Sequence, residues 1–446
     1  MSTVTPAAPQ APPLSVQTTA GNYFVSNYPP YAFWKPEQVD SFIEGLQHPP
    51  STPNPLGIYL HIPFCRKRCH FCYFRVYTDK DAAAIRNYLD AALAEFQVYA
   101  ETPFLRNRRP GFVYFGGGTP SYLSVDQLRY LTDRMKSLMP WDSVEEVTFE
   151  AEPGTLTDHK LRAIRELGVT RLSLGVENFD DRILEINGRA HHSKEIARAY
   201  AFARELDFPQ INIDLIAGMV EETDDNWKAC VERAIALAPD SVTIYQMEVP
   251  YNTTIYKEMK AAGKLVAPVA DWEKKRAWVA EAFEAFEQAG YTVASAYTVV
   301  KDKARTRFLY RDRLWAGADL LGLGVASFGH LHGTHYQNLH DFDPYLSALR
   351  EGRLPVYRAL TPTPTERLIR EFILQIKLGQ VSALTLQNKY GVDVRQALAA
   401  PIATLQHAGF LSIDGDVIRL NRAGLLRVDE LIQECFLPEH RHQRYA

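Results

Sequence analysis

The stretch Cys65-Arg-Lys-Arg-Cys69-His-Phe-Cys72 decides how the rest of this chain reads. Three cysteines lie in a C-x3-C-x2-C run, directly after the apolar segment Gly57-Ile-Tyr-Leu-His-Ile62. Thiolate is a soft ligand that suits iron–sulfur clusters and zinc. A zinc site normally pairs C-x2-C with a second Cys or His pair at set spacing. No second pair is present, because Cys230 and Cys435 stand alone. Three closely spaced thiolates can hold three irons of a [4Fe–4S] cube and leave the fourth iron open to chelate a ligand. A zinc knuckle is the alternative that the run by itself leaves open.

The composition narrows the setting. A chain of 446 residues has room for two or three domains. Hydrophobic residues make up 46% and charged residues 23%, which is ordinary for a soluble globular protein. A net charge of −4 and the lack of a long basic run argue against nucleic acid as the main partner. Five cysteines in so long a chain do not make a disulfide framework. A reducing cytoplasm is therefore expected. No apolar run approaches the roughly 18 residues of a spanning helix. The first charged residue is Lys35, so no secretory signal is expected.

Taken in order, residues 1–20 are uncharged and rich in Pro, Ala, Ser and Thr, and read as a disordered tail. The aromatic arm Asn22-Tyr-Phe-Val-Ser-Asn-Tyr-Pro-Pro-Tyr-Ala-Phe-Trp34 should pack over the core, as a strap or as a flap at a site mouth. From residue 57, apolar runs at 57–62, 112–115, 147–151, 171–176, 211–216 and 241–246 read as buried parallel strands. Amphipathic helices are expected at 82–99, 125–139, 158–167, 194–206 and 226–237, with Ser124 and Gln127 at capping-box spacing. A further helix at 271–289 and a strand at 291–295 follow. Six such units make a partial (β/α)6 barrel, fewer than the eight of a closed one. The unusual residues gather at the C-terminal strand ends, where barrels of this kind collect their chemistry. The cysteines follow strand 1 and Gly116-Gly-Gly-Thr-Pro120 follows strand 2. Glu150-Ala-Glu ends strand 3, and Glu177-Asn178 ends strand 4 with Arg189 beyond it. Asp214 lies in strand 5, and Tyr245-Gln246 ends strand 6.

The cysteine run, with Phe71 before its last ligand, resembles the cluster motif of the radical S-adenosylmethionine (SAM) superfamily. More specifically, residues 57–338 resemble its oxygen-independent coproporphyrinogen III oxidase-like branch. The matching stretches are Tyr59-Leu-His-Ile-Pro-Phe-Cys65, Tyr114-Phe-Gly-Gly-Gly-Thr-Pro120, Arg171-Leu-Ser-Leu-Gly-Val176, Ile213-Asp-Leu-Ile-Ala-Gly218 and Leu323-Gly-Val-Ala-Ser-Phe-Gly329, leading to Tyr336-Gln-Asn338. The resemblance implies a [4Fe–4S] cluster held by Cys65, Cys69 and Cys72. It also implies one SAM, and a second beside it in some members. The open iron would bind the SAM amino and carboxylate groups, and an electron would split the sulfonium to a 5′-deoxyadenosyl radical. By the same resemblance Tyr59, Phe71, Gly117, Gly118, Thr119, Glu150, Arg189 and Asp214 would surround the cofactor, with Glu177 joining them.

Three departures from the family pattern stand out. Phe74 takes the place of a common fourth cysteine, Glu177 that of the usual Gln, and Ala217-Gly-Met-Val220 that of a Tyr-Gly-Leu-Pro run. An added carboxylate acts strongly on a sulfonium in a low-dielectric site and can serve as acid or base. Glu177 and Tyr59 are thus the candidate catalytic residues.

Beyond residue 340 the pattern changes, and Thr361-Pro-Thr-Pro-Thr365 marks a boundary. Helices are expected at 367–378, 384–390, 394–408 and 422–435, with a hairpin at 409–420 around Asp414-Gly415. This helical, winged-helix-like unit resembles the C-terminal domain of the same branch. The expected division is 1–56 tail and arm, 57–300 barrel, 301–360 extension and 361–446 C-terminal domain. The closing His440-Arg-His-Gln-Arg-Tyr445 reads as a solvated end.

For function, the resemblance implies oxidative decarboxylation of tetrapyrrole propionates to vinyls. Lys301, Lys303, Arg305, Arg307, Arg311 and Arg313 are candidates to meet the substrate's carboxylates. The rival readings are a class C radical SAM methyltransferase of an aromatic, quinone or haem-like substrate, and a haem chaperone. A small-molecule substrate, an electron donor such as flavodoxin or ferredoxin, no nucleic acid, no membrane span and a monomer are the expected partners and state.

Overall fold

The apolar runs become parallel strands: β1 (Leu56–Ile62), β2 (Phe112–Gly117), β3 (Glu146–Ala151), β4 (Arg171–Glu177), β5 (Gln210–Ala217) and β6 (Ser241–Gln246). The computed structural model describes residues 16–21, 23–51 and 54–441. Each strand pairs with the next in sequence, through partners such as Ile58↔Val113, Val113↔Val147, Phe149↔Leu172, Leu174↔Ile213 and Leu215↔Ile244. These side chains are buried, as expected where helices cover the outer face and the barrel interior covers the other. The covering helices include Ala82–Glu101, Val125–Leu138, Asp158–Glu166, Ser193–Glu205 and Asp224–Leu237. Ser124 and Gln127 form the reciprocal capping box that their spacing requires.

The sheet extends beyond six strands at both edges. After the helix Trp272–Gln288, β7 (Thr292–Ser295) does not add a further parallel strand. It turns into β8 (Thr298–Val300), and β8 pairs antiparallel with β6. At the other edge β9 (Asp319–Leu323) joins β1 in parallel, through Gly57↔Leu320. The antiparallel strands β10 (Phe328–Leu331), β11 (Thr334–Asn338) and β12 (Val356–Leu360) follow. The Leu323–Gly329 segment is therefore the turn from β9 into β10.

The C-terminal unit has its own apolar core, with Leu368, Phe372, Leu386, Ile402, Ile418 and Ile432. Strands β13 (Gln380–Ser382), β14 (Leu411–Asp414) and β15 (Val417–Leu420) form a small antiparallel sheet, and Gly415 takes φ 61 in the β14–β15 turn. Two expected helices are broken. The first divides at Leu398 into Val394–Ala397 and Ala399–His407, because Pro401 lacks the N–H that would bond to Ala397. The second divides at Arg427 into Arg422–Leu426 and Val428–Leu431, followed by the 3-10 turn Ile432–Cys435.

The N-terminal arm ties the two units together. Residues 1–15 lie outside the described residues, but Val16–Ala20 are not a free tail. Thr18 is buried, and Trp272 N donates to Val16 O at 2.8 Å. Further on, Val25 N donates to Asp429 Oδ1 at 2.9 Å, and Trp34 stacks on His335 of β11. The buried Lys377 ammonium donates to Val25 O at 2.7 Å and to Asp429 Oδ1 at 2.6 Å. His440 is likewise not a solvated end: it is buried with Nδ1 2.7 Å from Tyr28 Oη. Residues 442–445 of that tail lie outside the described residues.

Removing one partner of a buried ion pair strands the other in low dielectric, so Lys377→Met is expected to cost about 3 kcal/mol or more in urea unfolding. A loss well under 1 kcal/mol would show that the pair does not hold the arm.

Candidate functional site

The C-terminal ends of β1–β6 open on one cavity of about 440 Å³. The cysteine loop at its edge is irregular, so its backbone is secured from several sides. Cys65 N donates to Tyr77 O at 3.1 Å and Tyr77 N donates to Pro63 O at 2.7 Å, which closes the base of the loop. His70 N donates to Asn187 O at 3.0 Å, and Arg68 Nη2 donates to Cys72 O at 3.0 Å. Arg66 Nη2 reaches Glu152 Oε2 at 3.0 Å, and His191 Nδ1 lies 3.0 Å from Glu152 Oε1. Cys65, Cys69 and Cys72 all face the cavity. Among the described residues no three Cys, His, Asp or Glu side chains converge as a single-ion site.

The surroundings fit an iron–sulfur cube in three respects. Arg189 Nη1 lies 3.2 Å from Cys69 Sγ, and Thr119 Oγ1 lies 3.3 Å from Cys65 Sγ, so two of the three sulfurs have a side-chain donor. Arg189 Nε is buried and has no partner among the described residues. Two glycines are set by the close approach of β1 and its loop. A Cβ on Gly117, whose φ is +109, would fall 2.4 Å from the His61 ring, and one on Gly118 would fall 2.8 Å from Ile62 O.

Three carboxyl groups form the cavity floor. Tyr114 Oη donates to Glu150 Oε1 at 2.5 Å, and Gly117 N donates to its Oε2 at 3.1 Å. Asp214 accepts from Asn212 at 2.9 Å and from Ser173 at 3.2 Å. Glu177 stands at a β-bulge, where β4 slips against β5, and takes the left-handed φ of 65. That unfavourable backbone turns its carboxyl inward, 3.7 Å from Arg189 Nη2. Burial pushes Glu150 and Glu177 each up to about 7, against the pull of Tyr114 and Arg189 respectively. Asp214 is raised by burial as well.

The cavity walls therefore bring together Cys65, Cys69, Phe71, Cys72, Gly117, Gly118, Thr119, Glu150, Glu177, Arg189 and Asp214. Tyr59 is not among them. It lies deeper in the barrel, with Oη 3.1 Å from His61 Nδ1 and its ring stacked on Tyr114, which in turn packs at a tilt against Tyr310. The basic run does not reach the cavity either. Lys301 N bonds Asp240 at the N-terminal end of β6, while Leu309 N and Tyr310 N donate to the Glu146 carboxylate at the start of β3. Arg313 is taken by Glu145, and Arg311 by Asp312, Ser295 and Thr298. This segment plugs the opposite end of the barrel.

The upper wall holds residues that the sequence reading passed over. Trp272, Arg276 and Tyr297 come from the barrel side, and Arg427, Asp429 and Glu430 from the break in the last helix. Tyr23 and Phe24 of the arm also line it, so the arm is both strap and flap. The only signal in the sequence was Arg427-Val-Asp-Glu430, which looks like the polar face of an amphipathic helix.

A parallel α/β scaffold with three cysteines, a glycine turn and buried carboxylates at one rim defines a radical SAM protein. Residues 59–234 match the family profile described as the Radical SAM superfamily, and residues 363–427 that of the HemN C-terminal domain. The chain belongs to the radical SAM superfamily, whose cofactors are a [4Fe–4S] cluster and SAM. Its C-terminal unit carries the HemN C-terminal domain, and its relatives are named both coproporphyrinogen III oxidase and heme chaperone. Relatives include the heme chaperone HemW of Bacillus subtilis, 29% identical over 84% of this chain and 97% of that protein. The oxygen-independent coproporphyrinogen III oxidase of Pseudomonas aeruginosa is 24% identical over 91% of each. The solved coproporphyrinogen III oxidase (HemN) of Escherichia coli shares the fold, with a TM-score of 0.79 at 22% identity over 94% of this chain and 99% of that one.

The raised carboxyls set a pH dependence. Between the usual carboxyl value near 4.5 and about 7, the folded protein holds protons that the unfolded chain has lost. This contribution to stability is full below 4.5 and is lost as pH rises through 7. Glu177→Gln should flatten the fall in melting temperature between pH 5 and 7.5. An unchanged slope would mean that Glu177 does not hold its proton in the fold.

Proposed function

We propose that this chain is a radical SAM enzyme acting on a tetrapyrrole, by oxidative decarboxylation of propionate side chains. The observation that carries this reading is the single cavity in which the cysteine loop, the carboxyl floor and an aromatic, charged upper wall face one another. The cluster and SAM, when bound, supply a 5′-deoxyadenosyl radical that takes a hydrogen atom from the substrate. Loss of CO2 and of one electron to a one-electron acceptor then leaves a vinyl group.

The protein's own part is to bind, orient and exclude water. Cys65, Cys69 and Cys72 would hold three irons. Arg189, already anchored to Gly175 O at 2.6 Å, would offer its remaining donors to the methionine carboxylate. Gly117 and Gly118 leave the backbone open to the methionine amine, while Glu150 and Asp214 accept from the ammonium or ribose hydroxyls. Glu177 adds a carboxylate close to where a sulfonium would lie. Tyr59 acts from beneath, through the Tyr114 stack and its bond to Glu150, as a positioning residue. Phe24, Tyr297 and the C-terminal unit cover the chamber from water.

A second reading, the haem chaperone, is favoured by Tyr73 and Phe74, which stack at 4.6 Å, stand partly exposed and line the cavity mouth. An anaerobic turnover with reconstituted cluster, dithionite, SAM and coproporphyrinogen III separates the readings. Deoxyadenosine with CO2 loss supports decarboxylation, and S-adenosylhomocysteine in its company would replace it with methyl transfer. Haem retained without SAM cleavage would replace it with the chaperone. Cys69→Ala should lose the cluster absorbance and all SAM cleavage, and retention of both would overturn the cluster assignment.

A further inference from the structure

Above the carboxyl floor lies a second charged group with no task so far. Arg276 comes from the helix Trp272–Gln288, and Arg427 from the break before Val428–Leu431. Both guanidinium groups converge on Glu430. Arg276 Nη2 is 2.9 Å from Oε2, and Arg427 Nη2 is 2.7 Å from Oε1. Two cations thus share one carboxylate. The neighbouring Asp429 does not balance them, because it is occupied by Lys377, by the Val25 N–H and by the Tyr297 hydroxyl. The group is left with one net positive charge facing the cavity.

Beside it, at the end of β6, Gln246 Nε2 donates to Leu426 O at 3.4 Å while its Oε1 is buried without a partner among the described residues. A buried acceptor left unpaired is costly, and an incoming N–H would satisfy it.

We propose that Arg276 and Arg427 form the receptor for a carboxylate carried by the substrate, with Glu430 as the built-in counter-ion which that carboxylate displaces. The inference rests on the reading of the cavity as a chamber for an organic substrate above SAM, and it narrows that substrate to an acid with N–H donors. A guanidinium carries five donors in a planar fork. Glu430 engages one nitrogen of Arg276 and two of Arg427, so the pair can take a second carboxylate as Glu430 swings away. The Glu430 side chain is about a quarter exposed, which leaves room for that swing. Its displacement exchanges one ion pair for another and leaves no arginine unpaired inside the cavity. A pyrrole-based acid with a flat apolar body matches the carboxylate receptor, the Gln246 acceptor and the Trp272 and Tyr297 walls.

The alternative role is a staple between the barrel and the C-terminal unit, and the two differ in sign. Coproporphyrin III and its tetramethyl ester are titrated into the full-length protein with reconstituted cluster, following porphyrin absorbance. The wild type should bind the acid about tenfold tighter than the ester, or more. Arg276→Gln and Arg427→Gln should each erode that preference, and Arg427→Lys should keep part of it. Glu430→Gln, which removes the competitor, should tighten the acid several-fold and leave the ester unchanged. Equal binding of acid and ester by the wild type overturns the receptor and leaves the tetrapyrrole reading standing. Weaker acid binding by Glu430→Gln, with a lowered melting temperature like the arginine variants, overturns it in favour of the staple. If neither porphyrin binds while SAM is still cleaved, the tetrapyrrole reading fails and the receptor for it falls too.

Discussion

The carboxylate of Glu152 is the point from which the cysteine loop is held to the barrel. It accepts from Arg66 of that loop, from His191 beyond β4 and from Gly154 N of its own turn, all within 3.0 Å. Burial alone would raise its pKa, but the His191 hydrogen bond with the charges of Arg189 and Arg66 holds it below the usual carboxylate range. One buried anion therefore spans three loops at the ends of β1, β3 and β4. A site built on irregular backbone is only as well ordered as such anchors make it. The positions of the three sulfurs relative to the floor depend on this junction.

Enclosure depends on a second junction, where Asp429 receives the arm, the C-terminal unit and Tyr297 together. It explains why a chain with a barrel open on one side carries so long an aromatic arm. Tyr23 and Phe24 line the chamber, while Val25 is bonded to the Lys377–Asp429 pair. The low dielectric implied by the upward shifts of Glu150 and Glu177 needs this cover. Without it water would screen the floor, and the carboxyls would ionise normally.

The sequence made the floor legible because strand, turn and helix alternate at regular length, so a residue's place at a strand end follows from counting. Gly117, Glu150, Glu177 and Asp214 were found in that way. Apart from Tyr23 and Phe24 of the aromatic arm, the upper wall was not legible, because it is assembled from distant segments. Nothing in Arg427-Val-Asp-Glu430 distinguishes a broken helix from a continuous one, and only the tertiary contact with Arg276 gives it meaning. The basic run misled for the converse reason. Its charges look available in sequence, yet Glu145 and Glu146 bind that segment at the far end of the barrel. Strand β9 was missed because Asp319-Leu-Leu-Gly-Leu323 is short and runs directly into the glycine-rich turn before β10. A parallel strand recruited across the edge to β1 has no periodic signal of its own.

The floor itself is an electrostatic conflict that the fold maintains. Burial raises the proton affinity of all three carboxyls, Asp214 adds to it at Glu150 and Glu177, and the cations that oppose this are Arg189 at Glu177 and Arg171 at Glu150 and Asp214. Three carboxyls facing two guanidinium groups cannot all be ionised cheaply in a covered chamber. A ligand bearing an ammonium and a sulfonium would supply the missing positive charge, so its binding and the ionisation of the floor are linked. Glu177 sharpens the point. Its left-handed backbone costs energy that no packing need explains, and the return is a carboxyl aimed at the cavity beside Arg189. When a carboxylate ligand takes Arg189, Glu177 loses its partner and is left facing the ligand's cationic end. On the proposed reading, the residue that departs from the family pattern would couple the anionic and cationic halves of one zwitterionic ligand through a single ion pair.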